Sequence, residues 1–346
     1  MSRRRLYLDS APGEVRGVVT LDDQPERLII RRDDDDLRLV AGARLVARVA
    51  GVEPALATAF LDLGAGAEAI LPYKPDARPR QGEALEVEVR NEPRRGKLAV
   101  ARWLGPGEGP PRLVARPPDV EAELRAHERE AEIVTGRPAR EIADEAEAEA
   151  LETVHALPGG GSLAIEPTRA LVAVDIDLGE RKGADAKRVT RQANLAALGV
   201  TARLLRLKGL GGIVVIDLVG RGHDGAALLA AARAAFGPDN PGVAIGPVGR
   251  FGTMELSLPR RTRPLAERLL RDDGALSDRT LAQRLVRRLQ TEGEAQRGAR
   301  LVARCAPGVA QAAAPLLVRL GEALGARFSL EPDPAAVRER LEVAAK

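Results

Sequence analysis

Apolar and polar residues alternate in short bursts over the first third of the chain, at Leu6-Tyr-Leu8, Val15 to Val19 and Leu28-Ile-Ile30. A period of two predicts strands and turns over residues 5–31. The same pattern continues at 43–49, 57–63, 69–71, 84–89 and 98–101, divided by Gly and Pro. Five short strands at this spacing suit a small β-barrel. Residues 105–118 are rich in Pro and Gly and predict a linker, because those residues disfavour both helix and ladder. Residues 119–155 read as charged helix, broken near Gly136-Arg-Pro138. Beyond Gly159, strands at 162–165, 170–176, 212–217, 243–246 and 253–257 alternate with helices at 185–207 and 225–236. The tail reads helix (278–292), strand (300–303), helix (308–324), strand (327–330), a small α+β unit with a hinge near Gly274-Ala275.

Two of these strands end on acid: Val172-Ala-Val-Asp175-Ile-Asp177 and Ile213-Val-Val-Ile-Asp217. Asp175 and Asp177 point to the same side of their strand. The helical stretch between the strands is long enough for a right-handed crossover, which makes them parallel neighbours with their carboxyl ends on one edge. Open sheets gather ligands at that edge. Three carboxylates in one crevice repel unless a hard cation joins them. Mg²⁺ takes few protein carboxylates and completes its shell with water and phosphate oxygens. The pattern predicts metal-assisted chemistry on a phosphate. Taken alone, acids at strand ends also serve as turn caps or solvated groups.

Composition narrows the classes. A chain of 346 residues holds two or three domains. Charged residues make up 30% while the formal charge is only +3, so any basic stripe is local. One cysteine, Cys305, excludes an internal disulfide or a cysteine-built zinc site within one chain. No apolar run reaches the ~18 residues of a membrane span. Met1-Ser-Arg-Arg-Arg lacks the apolar core of a secretory signal, so a cytoplasmic protein without membrane association is expected. Asp33-Asp-Asp-Asp36 reads as a solvated turn.

Aromatics are only 2% of the chain, which makes each one informative. Phe60, Tyr73 and Trp103 fall in the barrel with Lys74, Arg78, Arg80, Arg94, Arg95 and Lys97. Stacking faces beside cations suit a nucleic-acid strand, although core packing explains Trp103 better. Arg250-Phe-Gly-Thr-Met-Glu255 follows a strand, and its arginine fork could hold a phosphate. His127, His155 and His223 are scattered and read as incidental. The glycine runs at 159–161 and 209–212 lack a phosphate-loop spacing and read as turns.

Together, the ordered strings Gly159-Gly-Gly-Ser-Leu-Ala-Ile-Glu-Pro-Thr-Arg-Ala-Leu-Val-Ala-Val-Asp-Ile-Asp177, Asn194-Leu, Arg206-Leu-Lys-Gly-Leu-Gly-Gly-Ile-Val-Val-Ile-Asp217 and Gly249-Arg-Phe-Gly-Thr-Met-Glu-Leu-Ser257 resemble the catalytic core of the ribonuclease E/G family. Val52-Glu-Pro-Ala-Leu-Ala-Thr-Ala-Phe-Leu-Asp-Leu-Gly64 looks like that family's S1-type OB-fold. The resemblance implies a mixed α/β and β multidomain fold. An S1-type OB-fold barrel (39–104) is inserted in a ribonuclease-H-like subdomain (1–38 and 119–158, with a linker at 105–118). A DNase-I-like α/β catalytic subdomain (159–262), a linker (263–277) and a small C-terminal domain (278–346) follow.

The resemblance further implies an endoribonuclease for single-stranded RNA, active in RNA turnover and ribosomal RNA maturation, leaving 5′-phosphate and 3′-hydroxyl ends. Asp175 and Asp217 stand where the family holds Mg²⁺, and Asp177 stands beside them in the catalytic set. Phe60 matches a base-stacking aromatic, and Lys97 matches a basic position that meets the RNA backbone.

The departures are specific. Asp177 replaces the usual Asn; it either binds the ion directly or weakens activity by repelling the scissile phosphate. Ile70 replaces the second stacking aromatic. The segment that would sense a 5′-monophosphate is missing, so no preference for that end is expected. Leu270-Arg-Asp-Asp-Gly274 replaces the cysteine zinc link, which excludes a zinc-linked dimer and leaves the small domain as the surface for any homodimer. Two other functions stay open: a catalytically weakened RNA-binding regulator, and a metal-dependent phosphohydrolase of small nucleotides.

Overall fold

A computed structural model describes residues 3–181, 185–238 and 240–346; Met1 and Ser2 of the N-terminal reading lie outside the described residues. The chain opens with a meander, β1 (Arg4–Ala11), β2 (Glu14–Leu21) and β3 (Gln24–Arg32). It then builds a barrel from β4 (Arg44–Glu53), β5 (Thr58–Gly64), β6 (Ala67–Pro72), β7 (Ala84–Asn91) and β8 (Ala99–Pro106). Order β5-β6-β8-β7-β4 with a further β4–β5 pairing closes these five strands into a ring, consistent with an OB-fold. Alternation drives the closure: Leu45, Ala47, Val49, Leu61, Leu63, Leu85 and Val87 point inward and are buried. Residues 105–118, expected as a linker, carry β9 (Arg112–Ala115), which pairs with β4. The Pro-rich flanks confine that strand to four residues but do not abolish it.

The chain then returns to the first sheet. After α1 (Val120–Arg125), β10 (Ile133–Thr135) pairs parallel with β1, and α2 (Arg137–Leu151) packs on the sheet. The break expected near Gly136 thus separates a strand from a helix rather than two helices. Next come β11 (Val154–Ala156), β12 (Ser162–Pro167), β13 (Val172–Asp177), α3 (Ala186–Lys208), β14 (Gly212–Asp217), α4 (Gly225–Phe236), β15 (Ala244–Val248) and β16 (Thr253–Leu258). Their sheet has the order β11-β12-β13-β14-β16-β15, in which only β13 and β14 are parallel neighbours. The first sheet, α2 and this second sheet share one continuous apolar core, running from Tyr7 and Val18 through Ala143 to Ile216 and Leu256.

The stretch 263–277, also expected as a linker, holds α5 (Leu265–Leu269), whose Leu265 and Leu269 are buried in that same core. The tail forms α6 (Asp278–Ala295), β17 (Leu301–Cys305), α7 (Pro307–Leu324), β18 (Phe328–Pro332) and β19 (Glu342–Ala345), with sheet order β18-β17-β19. Charge docks this unit. Arg16 is buried and donates to Asp9 at 2.6 Å and to Glu147 at 3.2 Å; Glu147 also accepts from Arg284 and Arg287 of α6. The acid run at Asp33–Asp36 forms a turn whose Asp33 and Asp34 are exposed, as expected, but each acid also pairs with an arginine. Asp33 pairs with Arg319, Asp34 with Arg279, Asp35 with Arg268 at 2.7 Å, and Asp36 with Arg38. Three of the four partners lie 233 to 286 positions away in sequence, so pattern reading could not see them.

Candidate active site and nucleic-acid interface

The β13–α3–β14 crossover sets Asp175 and Asp217 directly opposite each other as register partners in a parallel pair. Opposite residues in neighbouring strands share a face, about 4.8 Å apart along the ladder. That face is open to water. The other face carries Val174, Ile176, Val214, Ile216, Met254 and Leu256, which are buried in the shared core with residues of α3 and α4. On the open face lie Asp175, Asp177, Asp217, Glu255 and Ile213, all exposed. Asp175 and Asp217 make no ion pair or hydrogen bond among the described residues, so four carboxylate oxygens face solvent side by side.

Asp177 behaves differently. It lies opposite Ser162, and its Oδ1 accepts from the Gly179 N–H at 2.8 Å, capping the turn that leaves β13. Among the described residues no group of three or more potential ligands is close enough to hold one ion. The crevice of three carboxylates expected from the sequence is therefore a pair plus a capping acid. A pair still fits a hard cation of the Mg²⁺ type, which takes one or two carboxylates and leaves its other positions to water and phosphate. Gly161 allows the crowding at this corner: its φ is +77°, and a Cβ there would stand 2.3 Å from the Asp177 carbonyl oxygen.

Arg250 lies in the turn between β15 and β16, next to the carboxyl end of β14. Thr253 is the register partner of Asp217, and the Leu218 N–H donates to the Gly252 carbonyl at 3.1 Å. Sequence reading missed what holds the loop after Asp217. The Asn194 side chain, buried on α3, donates to the Val219 carbonyl at 3.0 Å and accepts from the Val219 N–H at 3.1 Å. It also missed the cations of Lys187, Arg188 and Arg191. With Asp185, Gly222, His223 and Asp224 they line a cleft of about 510 Å³ beside that loop. His223, set aside as incidental, forms part of this wall. The signal was the basic first turn of a helix leaving the acid-bearing edge.

Phe60 and Lys97 are not in this cluster. Phe60 is 43% exposed on the outer wall of the barrel, opposite Ile70, which in turn lies opposite Val100. Lys97 is exposed at the tip of the β7–β8 hairpin. Its neighbours dock on the segment after β16. Glu92 N–H donates to the Arg261 carbonyl at 2.8 Å, and Arg95 N–H to Glu267 at 2.7 Å. That segment meets the amino end of β14, because Leu258 is the partner of Gly212. The segment that receives the barrel hairpin thus starts at the amino end of β14, while the aspartate pair lies at the carboxyl end, roughly 16 Å away along the strand at the usual rise per residue.

Comparison with known proteins matches this region. The Ribonuclease E/G family model matches residues 115–261. Ribonuclease E of Haemophilus influenzae is 37% identical over 114 residues, 32% of this chain and 12% of that protein. Ribonuclease E of Escherichia coli is 36% identical over 114 residues, 32% of this chain and 11% of that protein. The Ribonuclease E/G-like protein, chloroplastic, of Arabidopsis thaliana is 34% identical over 113 residues, 31% and 11% of the two chains. The matched part is thus a small fraction of these relatives' length. Residues 115–261, which carry the aspartate pair and the loops that frame it, are thus the part of the chain that is similar to the Ribonuclease E/G family.

Proposed function

We propose that the chain is an Mg²⁺-dependent endoribonuclease that cuts single-stranded RNA to 5′-phosphate and 3′-hydroxyl ends, without sensing a 5′-monophosphate. The observation that carries this reading is the placement of Asp175 opposite Asp217 on an open sheet face. Exposed carboxylates held against each other cost Coulomb energy with no structural return, since neither makes a contact that supports the fold. Their use is to hold a cation where an anionic substrate arrives. When bound there, Mg²⁺ lowers the pKa of a water and offsets charge developing on the phosphate.

The chain's own residues supply the rest. Asp175 and Asp217 fix the ion through the rigid parallel ladder. Arg250, from the adjoining turn, engages a phosphate oxygen with its planar donors. The open face of β13, β14 and β16 forms the floor that leads toward the barrel. There Phe60 stacks on a base and Lys97 meets the backbone. In the cut itself a water oxygen bonds to phosphorus and the bond to O3′ breaks, with a proton passing to O3′.

The labels S1-type, ribonuclease-H-like and DNase-I-like for the barrel and two flanking sheets, a role in RNA turnover and ribosomal RNA maturation in the cytoplasm, and a homodimer through the small domain rather than a zinc link belong to the same reading. A weakened RNA-binding regulator is the second reading, favoured by Ile70 opposite Phe60, where one ring is left without a second.

The test is a fluorescent AU-rich single strand incubated with Mg²⁺ or EDTA, beside Asp175→Asn and Asp217→Asn. Cutting that needs Mg²⁺ and both acids supports the endoribonuclease. Cutting that survives either substitution overturns it, and tight binding without cutting supports the regulator. Equal rates on 5′-phosphate and 5′-hydroxyl strands are expected.

A further inference from the structure

Among the described residues, Phe251 is the most exposed large apolar side chain, at 78% of its full accessibility. Leaving a phenyl ring in water costs free energy, and this chain has only four phenylalanines. The turn that presents it is locked. Gly249 N–H donates to the Thr253 carbonyl at 2.8 Å, Gly252 N–H to the Gly249 carbonyl at 3.0 Å, and Leu218 N–H to the Gly252 carbonyl at 3.1 Å. Gly252 has φ +86°, and a Cβ there would stand 3.3 Å from His223 Nε2, so the turn is also seated against the neighbouring loop. An exposed ring on a fixed turn is a different object from one on a loose loop tip. Its position is paid for in backbone order before any ligand arrives.

Among the described residues the ring has one stacked partner. The Arg250 guanidinium lies over it, 4.6 Å from the centroid. Such stacking uses the flat face of the guanidinium and leaves its in-plane N–H donors free. Arg250 makes no hydrogen bond or ion pair among the described residues, so those donors remain available for a phosphate. The second face of the ring is open to a second flat group. Both residues stand at the carboxyl edge, two and three positions before the register partner of Asp217.

We propose that Phe251 stacks on an unpaired nucleobase next to the bond that is cut, while Arg250 holds the phosphate joined to that nucleotide. This rests on the endoribonuclease reading above and deepens it. Phe60 grips the strand at the barrel, and Phe251 grips it at the acid pair. A duplex cannot offer a base face to Phe251, so the residue also selects for single strands at the point of cleavage.

The experiment compares the whole chain with Phe251→Ala, Phe251→Leu and Phe251→Trp. Cleavage is followed as KM and kcat on a short single strand. Stacking is followed by fluorescence of 2-aminopurine placed at successive positions around the cut, in an Asp217→Asn background that does not turn over. The expected result is a KM raised roughly tenfold in Phe251→Ala and Phe251→Leu, restored in Phe251→Trp, with fluorescence quenched at one position by Phe or Trp and not by Ala or Leu. Equal KM and equal quenching in all four proteins overturn the assignment and leave the endoribonuclease reading standing. Rescue by Leu as complete as by Trp also overturns it, because it marks a greasy contact rather than a stack. A parent chain that neither binds nor cuts RNA overturns both readings.

Discussion

Asn194 clamps the Val219 peptide from both sides, donating to its carbonyl at 3.0 Å and accepting from its N–H at 3.1 Å. Val219 lies two residues after Asp217, so this buried amide ties helix α3 to the loop that ends the acid-bearing strand. In Asn194→Ala both Val219 groups lose their partner, which costs about 2 kcal/mol of stability. Cleavage should fall about tenfold through misplacement of the loop. Asn194→Asp can accept but cannot donate while ionised, and brings a buried charge, so it should be less stable than Ala. Urea unfolding and single-turnover cleavage check both; an Asp variant as stable as the parent contradicts the clamp.

The barrel wall gives a gain-of-function prediction. Ile70 is opposite Phe60 on the outer face, and Val100 is opposite Ile70. Ile70→Phe places a second ring beside the first and should tighten single-stranded RNA binding about tenfold, while Phe60→Ala should weaken it by a similar factor. Fluorescence anisotropy at fixed salt reads both. No gain from the added ring places the strand elsewhere on the protein.

Much of this arrangement was legible because it is local. Period-two alternation gave the five barrel strands, and a carboxylate at each of two strand ends, joined by a crossover-length helix, gave the paired aspartates. What was not legible is long-range. The β9 pairing depends on β4, more than 60 positions earlier, and overrides a Pro-rich composition. The run from Asp33 to Asp35 read as solvent-facing charge alone because the arginines that pair with it lie on α7, α6 and α5. Asp177 looked like a third member of the crevice because alternation puts it on the right face. Its role as a turn cap depends on Gly179, a contact that periodicity does not report.

Docking of the small domain should depend on pH. Burial alone would raise the Glu147 pKa, but Arg287, Arg284 and Arg16 outweigh it and hold the carboxyl below its ordinary value. Burial likewise opposes the ionised form of Asp35, and Arg268 together with the Arg32 N–H and Arg279 overcomes it. For a carboxyl depressed in the fold, the stability contribution is complete above the unfolded pKa, roughly 4. It is lost as pH falls through the folded value. Glu147→Gln takes one anion from a shared network, in which Arg16 keeps Asp9 and Arg287 keeps Glu14, and should cost about 1–3 kcal/mol at neutral pH. Urea unfolding of parent and variant from pH 7 to pH 3 should show that gap shrinking below roughly pH 4. A gap independent of pH contradicts the assignment.

Asp177 separates two roles. Asn at this position keeps an oxygen to accept from Gly179 N–H and removes a negative charge from the face where the substrate phosphate arrives. If repulsion dominates, Asp177→Asn speeds cleavage by about fivefold, the scale of one charge at close range in water, and more at low salt. Slower cleavage in the variant assigns Asp177 to the ion instead. The cap at 2.8 Å favours the faster outcome.

The joint grip of Asp175 and Asp217 on a divalent cation is tested most directly by Mn²⁺ binding, read by electron paramagnetic resonance with Mg²⁺ as competitor. The parent chain and Glu255→Gln should bind Mn²⁺ that Mg²⁺ displaces. Asp175→Asn and Asp217→Asn should each weaken that binding by about a hundredfold, since the two carboxylates are the only protein ligands proposed. Mn²⁺ held as tightly in both single variants as in the parent would contradict the account.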